Sequence, residues 1–138
     1  MYEDEEYKRF NKEKMSTLKP AFKKDGVVTA ANASKINDAG CALLLMNEEM
    51  LKKHNLKPMA RIVDFGFSAI EPIDFTIAPA KAIQQLLQRT GKKLNDIEYF
   101  ELNEAFAVTA ISNMRLLGID VSRMNIMGGA VAMGHPVG

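Results

Sequence analysis

Short apolar runs alternate along the chain with amphipathic and polar stretches, and this pattern predicts strands that alternate with helices. Apolar and β-branched runs bounded by Gly, Asn, Asp or Pro are typical of strands. The predicted strands cover 27–30, 41–46, 60–67, 97–102 and 125–127. The run at 41–46 is continuously apolar, which favours a strand covered on both faces.

Helix signals lie between these strands. The predicted helices cover 48–55, 79–90 and 104–117, and N-cap residues within 32–34 precede a short turn or helix that runs to Asp38. Asn47 and Asn103 stand where N-caps are expected, and Pro79 stands near a first turn. Gly91 and Gly118 are the expected stop signals. The order of elements predicts an α/β fold in which a sheet is buried between helix layers.

Composition narrows the class of protein. The 138 residues are 47% hydrophobic and 25% charged, as in ordinary globular proteins, and they are enough for one core. The net charge of +1 argues against a nucleic-acid partner, and no apolar run has the ~18–20 residues of a membrane span. With one cysteine, Cys41, no internal disulfide can form, so a reducing compartment inside the cell is expected.

Positive charge is concentrated in one polar segment. Residues 8–25 contain seven lysines and arginines against two acids, whereas 26–138 contain eleven charges of each sign. Such a segment is either a solvated surface loop or a basic rim for a phosphorylated ligand, because Lys and Arg form charge-assisted hydrogen bonds with phosphate. The pattern alone leaves both interpretations open.

Three segments with candidate chemistry follow predicted strands, where open α/β folds bind ligands. In 103–107, Asn103 is either a helix N-cap or an amide that faces a pocket. In 128–136, three glycines permit close approach of a ligand to the backbone. His135 in that loop is either a hydrogen-bonded structural residue or a general base and oxyanion donor. In 29–34, small residues allow tight packing or contact with a large ligand, to which Ser34 would donate.

The other candidate residues give weaker evidence of a functional site. Cys41 opens an apolar run with no base beside it, so it is predicted to be a small buried hydrophobe and not a nucleophile. His54 is expected at the surface near a helix end. The sequence contains no cluster with metal-ligand spacing.

Three motifs together resemble a known family. They are Asn-Glu-Ala-Phe at 103–106, Gly-Gly-Ala-Val-Ala-Met-Gly-His-Pro at 128–136, and Val-Thr-Ala-Ala-Asn-Ala-Ser at 28–34 followed by Ile-Asn-Asp at 36–38. In this order they resemble the signature blocks of the thiolases, the acetyl-CoA acetyltransferases. Glu-Pro-Ile-Asp-Phe at 71–75 and the acidic opening are most similar to the mitochondrial acetoacetyl-CoA thiolase branch. The resemblance extends over essentially the whole chain.

The resemblance implies a fold and a reaction. The expected fold is α/β and thiolase-like, with layered mixed β-sheets and α-helices, present in part. Residues 1–57 would be the end of the N-terminal half with its coenzyme A loop, and 58–138 the C-terminal domain without its last part. The family reaction is the reversible Claisen condensation of two acetyl-CoA molecules to acetoacetyl-CoA through a cysteine acyl-enzyme. The alternative is a protein that binds coenzyme A without catalysis, or an inactive fragment.

The resemblance also implies roles for individual residues. His135 would activate the nucleophilic thiol and donate to an oxyanion, and Asn103 would hold the water of one oxyanion hole. Phe106 would wall the acyl pocket. The positions matching coenzyme A contacts are Arg9, Phe10, Asn11, Lys14 and Ser34. A potassium ion would be held by the backbone carbonyls of Ala30, Ala31, Ala33 and Val131.

Departures from the family pattern set further expectations. The segments expected to hold the two catalytic cysteines are absent from the sequence, and Cys41 stands where the family has a small residue. A partial chain without turnover of its own is therefore expected. The resemblance implies no covalent cofactor, a homodimer or homotetramer for the intact protein, and a mitochondrial location, with a cytoplasmic one as the alternative.

Overall fold

The computed structural model describes Glu3 and residues 6–137 of the chain. Its α-helices are α1 (Lys12–Met15), α2 (Glu48–Lys53), α3 (Ala78–Thr90), α4 (Ala107–Leu117) and α5 (Ala130–Met133). Its 3₁₀ turns are Glu6–Arg9, Pro72–Ile77, Leu94–Asp96 and Val121–Arg123. None of the helices in the described part is long and apolar enough to cross a membrane.

Strand pairing is limited, within the described residues, to three isolated bridges. They join Ala33 to Phe106, Ile36 to His135 and Phe100 to Met124. The five predicted strands and the layered sheet are therefore not formed here. The reason at 41–46 and 60–67 is that a strand needs a neighbouring backbone, and these segments run at the surface with Leu44 and Phe67 each 84% exposed.

The ladder between Phe100 and Met124 stops after one rung for a local reason. Phe100 exchanges two backbone hydrogen bonds, donating to Arg123 and accepting from Asn125, each at 2.8 Å. Asn125 then turns with φ +49°, and its side chain takes both backbone groups of Leu102. Its Oδ1 accepts from Leu102 N at 2.7 Å and its Nδ2 donates to Leu102 O at 2.9 Å. An amide side chain thus replaces the next rung of the predicted strand.

The core lies between α3, α4 and the two segments joined by that rung. Phe100, Ala110, Ile119 and Met124 are buried together. Partly buried side chains surround this group: Ile83, Leu94, Ile97, Leu102, Met114 and Leu117. The helix pair thereby supports the loop after Phe100, which leads directly into 103–106.

Local signals at helix ends are borne out except at Asn103. Asn47 Oδ1 accepts from Met50 N at 3.0 Å as the N-cap of α2. Gly91 (φ +67°) and Gly118 (φ +71°) end α3 and α4 in the left-handed conformation that favours glycine. The prediction that Asn103 caps α4 is wrong, because this helix begins at Ala107 with Phe106 as its N-cap.

Cys41 also differs from its prediction. The residue is exposed and its thiol is free, so it is not the small buried hydrophobe expected from the apolar run 41–46. The cause is the same as for the missing strand, since no second layer covers this run among the described residues. His54, by contrast, lies at the surface as expected.

Candidate functional site

The structure brings the two predicted catalytic side chains together. Asn103 Nδ2 lies 3.0 Å from His135 Nε2, although 32 residues separate them in sequence. A neutral imidazole that accepts from the amide at Nε2 carries its proton on Nδ1. Asn103 is exposed and His135 half-buried, so the pair faces solvent and can be reached by a ligand.

Residues 32–37 hold the two halves of this pair. His135 N donates to Lys35 O at 2.6 Å, within the bridge between Ile36 and His135. Gly134 has φ +97°, and a Cβ there would lie 2.6 Å from Asn37 Cγ, so only glycine fits. Asn37 Nδ2 in turn donates to Met133 O at 3.0 Å. The backbone on both sides of His135 is therefore fixed by the segment 35–37.

Residues 32–34 hold the Asn103 side of the pair. Ser34 donates twice to Ala105 O, from its N at 3.0 Å and from its Oγ at 2.9 Å. Ala107 N donates to Asn32 O at 2.8 Å. The hydroxyl proton of Ser34 is thus used inside the protein, which differs from the expectation that it donates to a ligand. The small residues of 29–34 allow this close packing of two loops.

Residue Glu104 was not singled out in the sequence, yet it contacts the glycine loop. Its Oε1 accepts from Asn125 Nδ2 at 2.7 Å and its Oε2 accepts from Val131 N at 3.2 Å. A Cβ added to Gly129 would lie 2.2 Å from the carboxyl carbon of Glu104. The sequence itself shows only an acid beside Asn103 and a glycine at 129.

Most of the other predicted site residues line one cavity of about 690 Å³. From the coenzyme A set it is lined by Arg9, Phe10, Asn11 and Lys14, and from the potassium set by Ala30, Ala31 and Val131. Ser34, Ala33 and Phe106 do not line it. Its wall also contains Glu6 and Lys35, which sequence reasoning missed because their charges gain meaning only from the approach of distant segments.

Charge in this cavity is partly neutralised. Arg9 Nη1 lies 2.7 Å from Glu6 Oε1, and Lys35 Nζ contacts the other oxygen of the same carboxylate. Glu6 is half-buried, whereas Arg9 and Lys14 are exposed. The cavity wall therefore contains three cationic side chains and one anionic side chain, and this excess of positive charge suits a ligand with several negative charges.

Phe106 lies in an aromatic cluster. Its ring is 5.6 Å from that of Phe22 and 6.3 Å from that of Phe75, both in edge-on arrangements. Phe22 is 72% exposed, so the cluster presents an apolar face to solvent beside the bridge from Ala33 to Phe106. Such geometry can hold a small apolar group against ring edges.

The fit of a potassium ion can be tested on the donor set. Of the four residues expected to hold the ion through their backbone carbonyls, three line one cavity, while Ala33 forms the bridge to Phe106. Backbone carbonyl oxygens are ligands of hard cations. Among the described residues there is no group of three or more His, Cys, Asp or Glu that could hold a metal. The residues thus fit a carbonyl-bound cation in part.

The carboxyls with perturbed acidity lie on other parts of the surface. A hydrogen bond from Arg89 is the main cause that lowers the pKa of Asp64, with Arg89 Nε 2.7 Å from Asp64 Oδ2. The pKa of Asp120 is lowered chiefly by the Ser122 hydroxyl, which donates to it at 2.6 Å. Neither residue lines the cavity, so these shifts belong to surface contacts.

Comparison with known proteins matches both parts of the chain. The family model of the thiolase C-terminal domain matches residues 56–138, and that of the thiolase N-terminal domain matches residues 1–49. The chain is similar to the mitochondrial acetyl-CoA acetyltransferase A of Xenopus laevis, with 53% identity over 137 residues. That match covers 99% of this chain and 33% of the relative.

Solved structures give the same result. A thiolase from Ascaris suum in complex with coenzyme A matches with a TM-score of 0.90 and 45% identity, over 100% of this chain and 37% of that one. The dimeric peroxisomal thiolase of Saccharomyces cerevisiae matches with a TM-score of 0.81 and 37% identity, over 94% of this chain and 33% of that one. The chain thus spans about a third of the length of the relatives that it matches.

Proposed function

The chain belongs to the thiolase family, and from this premise we propose that it is part of an acetyl-CoA C-acetyltransferase. The activity would be the reversible condensation of two acetyl-CoA molecules to acetoacetyl-CoA and coenzyme A. The single observation that carries the proposal is the contact between Asn103 and His135 at 3.0 Å, at the glycine loop whose Val131 borders the cationic cavity.

In the proposed reaction a cysteine thiolate attacks the thioester carbonyl of one acetyl-CoA and expels the coenzyme A thiolate. A base then removes a proton from the α-carbon of the second acetyl-CoA. The resulting carbanion attacks the acyl-enzyme, which forms the new carbon–carbon bond and returns the thiolate. The nucleophilic cysteine and a second cysteine that serves as the base are those that the family resemblance implies. Cys41, which is exposed and does not line the cavity, is neither of them.

His135 and Asn103 would act on the oxygen and sulfur atoms of that sequence. The imidazole Nε2, which accepts from the Asn103 amide here, would take the proton of the thiol instead, and the N–H so formed can stabilise a developing oxyanion. The amide of Asn103 would hold a water as the second donor. One such donor commonly supplies about 3–4 kcal/mol of transition-state stabilisation. The 3.0 Å contact supports the assignment because both groups can then face one reacting atom.

Coenzyme A would bind along the cavity lined by Arg9, Phe10, Asn11 and Lys14. Arg9 and Lys14 supply the charge that phosphates need. Ser34 would contribute as an acceptor, since its proton is donated to Ala105 O. Phe106 would wall the acyl site through its cluster with Phe22 and Phe75.

The remaining proposals concern the intact protein. The carbonyls of Ala30, Ala31, Ala33 and Val131 would hold a potassium ion, which supplies positive charge that orders the coenzyme A loop. The division of halves would fall between 57 and 58. A homodimer or homotetramer is proposed because a matching yeast thiolase is dimeric. A mitochondrial location is proposed from the Xenopus relative, with a cytoplasmic one as the alternative.

A second function is favoured by one observation. The cavity with its cations belongs to this chain, whereas the lone Cys41 lies outside its wall. A protein that binds coenzyme A without catalysis is therefore the alternative.

Two measurements separate these functions. Calorimetry with coenzyme A tests binding by the 138-residue chain, and Lys14→Glu should weaken it at least about ten-fold. The matched control is Lys53→Glu, an exposed lysine of α2 outside the cavity wall. Thiolysis of acetoacetyl-CoA is then followed with the full-length gene product and its His135→Ala variant. Turnover lost in His135→Ala supports the acetyltransferase, and binding without turnover supports the alternative.

A further inference from the structure

Glu104 joins the two motifs that carry the Asn103–His135 pair. It follows Asn103 directly in sequence, and its carboxylate reaches across to the glycine loop that ends in His135. One oxygen accepts from Val131 N at 3.2 Å and the other from Asn125 Nδ2 at 2.7 Å. The side chain is half-buried, so both contacts are shielded in part from water.

Gly129 shows how closely the loop is packed on this carboxylate. A Cβ at this position would lie 2.2 Å from the Glu104 carboxyl carbon and 2.2 and 2.3 Å from its two oxygens. The backbone of Gly129 has φ −139° and ψ 179°, an extended conformation open to any residue. Gly129→Ala would therefore displace the Glu104 carboxylate from its present position, whereas the backbone conformation itself sets no limit on the residue.

Asn125 adds a second link between the same segments. Its side chain bonds both backbone groups of Leu102 as well as Glu104. Gly128 N in turn donates to Asn125 O at 2.8 Å, which holds the start of the glycine loop. The backbone before Asn103 and the loop before His135 are thus tied to one carboxylate and one amide.

We propose that Glu104 is a positioning residue that sets the distance between Asn103 and His135, through its contacts with Asn125 and Val131. The proposal rests on the proposed function for its effect on catalysis. Its geometry does not depend on that function. A displacement of about 1 Å between such groups can lower the reaction rate on the order of 100-fold.

The first test is structural and needs no activity. In the 138-residue chain, NMR would follow the side-chain amide of Asn103 and the tautomer of His135 in Glu104→Gln, with exposed Glu101→Gln as the matched control. A glutamine can accept only at its oxygen, so one of the two contacts is lost. We expect loss of the nuclear Overhauser contact between Asn103 and His135 in Glu104→Gln alone. Its retention would overturn the proposal.

A double-mutant comparison guards against simple misfolding. Gly129→Ala should disrupt the Asn103–His135 contact because its Cβ meets the carboxylate, and Glu104→Ala should relieve that clash in the double variant. We therefore expect Gly129→Ala to lower the melting temperature more in the parent than in the Glu104→Ala background. Gly40→Ala, which meets nothing within 4 Å, is the control. Equal effects in both backgrounds would contradict the proposal.

The second test measures catalysis in the full-length gene product. Glu104→Gln should lower kcat for acetoacetyl-CoA thiolysis at least about ten-fold while KM changes less than about two-fold, since Glu104 itself does not line the cavity. Glu104→Asp, which keeps both acceptors, should recover part of kcat. A rise in KM with unchanged kcat would overturn the positioning role. A parent without turnover refutes the proposed function alone, and the NMR test still decides the geometry.

Discussion

Replacing Asn113 tests how the helix pair beneath the site is held together. Asn113 is fully buried on α4, with 0% exposure, and both its amide oxygen and its amide nitrogen are hydrogen-bonded. Oδ1 accepts from Ala80 N at 2.7 Å, and Nδ2 donates to Thr76 O and Thr109 O at 2.7 Å each. One side chain thereby joins α4 to the first turn of α3 and to the 3₁₀ turn before it.

The magnitude follows from the number of bonds and from what they leave behind. Each net hydrogen bond contributes about 1 kcal/mol, so Asn113→Ala should cost about 3 kcal/mol. Ala80 N belongs to the first turn of α3, where backbone donors have no partner within the helix, and in the variant it would be buried without one. This raises the expected cost to about 4 kcal/mol, a large part of the stability of a small domain.

Asn113→Asp separates hydrogen bonding from packing. A carboxylate can still accept from Ala80 N, but it places oxygens against the carbonyls of Thr76 and Thr109 and buries a charge. We expect it to destabilise the protein at least as much as Asn113→Ala, despite its nearly identical volume.

Urea unfolding followed by circular dichroism measures these changes. With an m-value of about 1.5 kcal/mol per molar, a loss of about 4 kcal/mol lowers the midpoint by about 2.7 M. The control is Arg115→Gln on the exposed side of α4, which should change stability by less than about 0.5 kcal/mol. Asn113→Ala within the range of this control would refute the reasoning.

Three further predictions concern charge and exposed apolar surface. Glu6→Gln should tighten coenzyme A binding a few-fold in calorimetry, because it removes the negative charge beside Arg9 and Lys35 in the cavity wall; weaker binding would contradict this. Arg89→Gln should return the lowered pKa of Asp64 towards 3.8 in a carboxyl NMR titration, and an unchanged value would show that Arg89 is not the cause. Because the folded pKa is depressed, the stability from this pair is present above pH 3.8 and is lost as pH falls below it. The exposed apolar run 41–46 is expected to make the chain self-associate, and Leu44→Lys should reduce this association in sedimentation because it adds a charge there; an unchanged sedimentation profile would exclude this run as the contact surface.

The helix ends could be predicted from the sequence because their causes are local. Asn47 bonds a backbone amide three residues ahead, and Gly91 and Gly118 adopt a conformation that other residues disfavour. Strands at 41–46 and 60–67 could not be judged in the same way, because a strand depends on a neighbour that sequence pattern does not supply. The error at Asn103 has the same origin, since the bridge between Ala33 and Phe106 delays the start of α4 to Ala107.

In the candidate site, too, features with local causes could be predicted from the sequence, and features that depend on distant segments could not. Asn103 and His135 were each expected at the site from separate motifs, while their contact at 3.0 Å was not predicted, and four of the five residues matching coenzyme A contacts line one cavity. Glu104 was missed because its importance arises from Val131 and Gly129, which lie more than twenty residues away in sequence. The commitment of the Ser34 hydroxyl to Ala105 O was missed for the same reason.

The contacts that hold the candidate site explain why its geometry coexists with so little sheet. His135 N to Lys35 O, Ser34 N to Ala105 O and Ala107 N to Asn32 O are backbone bonds between loops, each satisfied without a ladder. Short amide side chains and glycines let these loops approach closely, as Asn37 does at Gly134. Because these bonds do not run through the exposed segments 41–46 and 60–67, substitutions in those segments should affect self-association before they affect the Asn103–His135 distance.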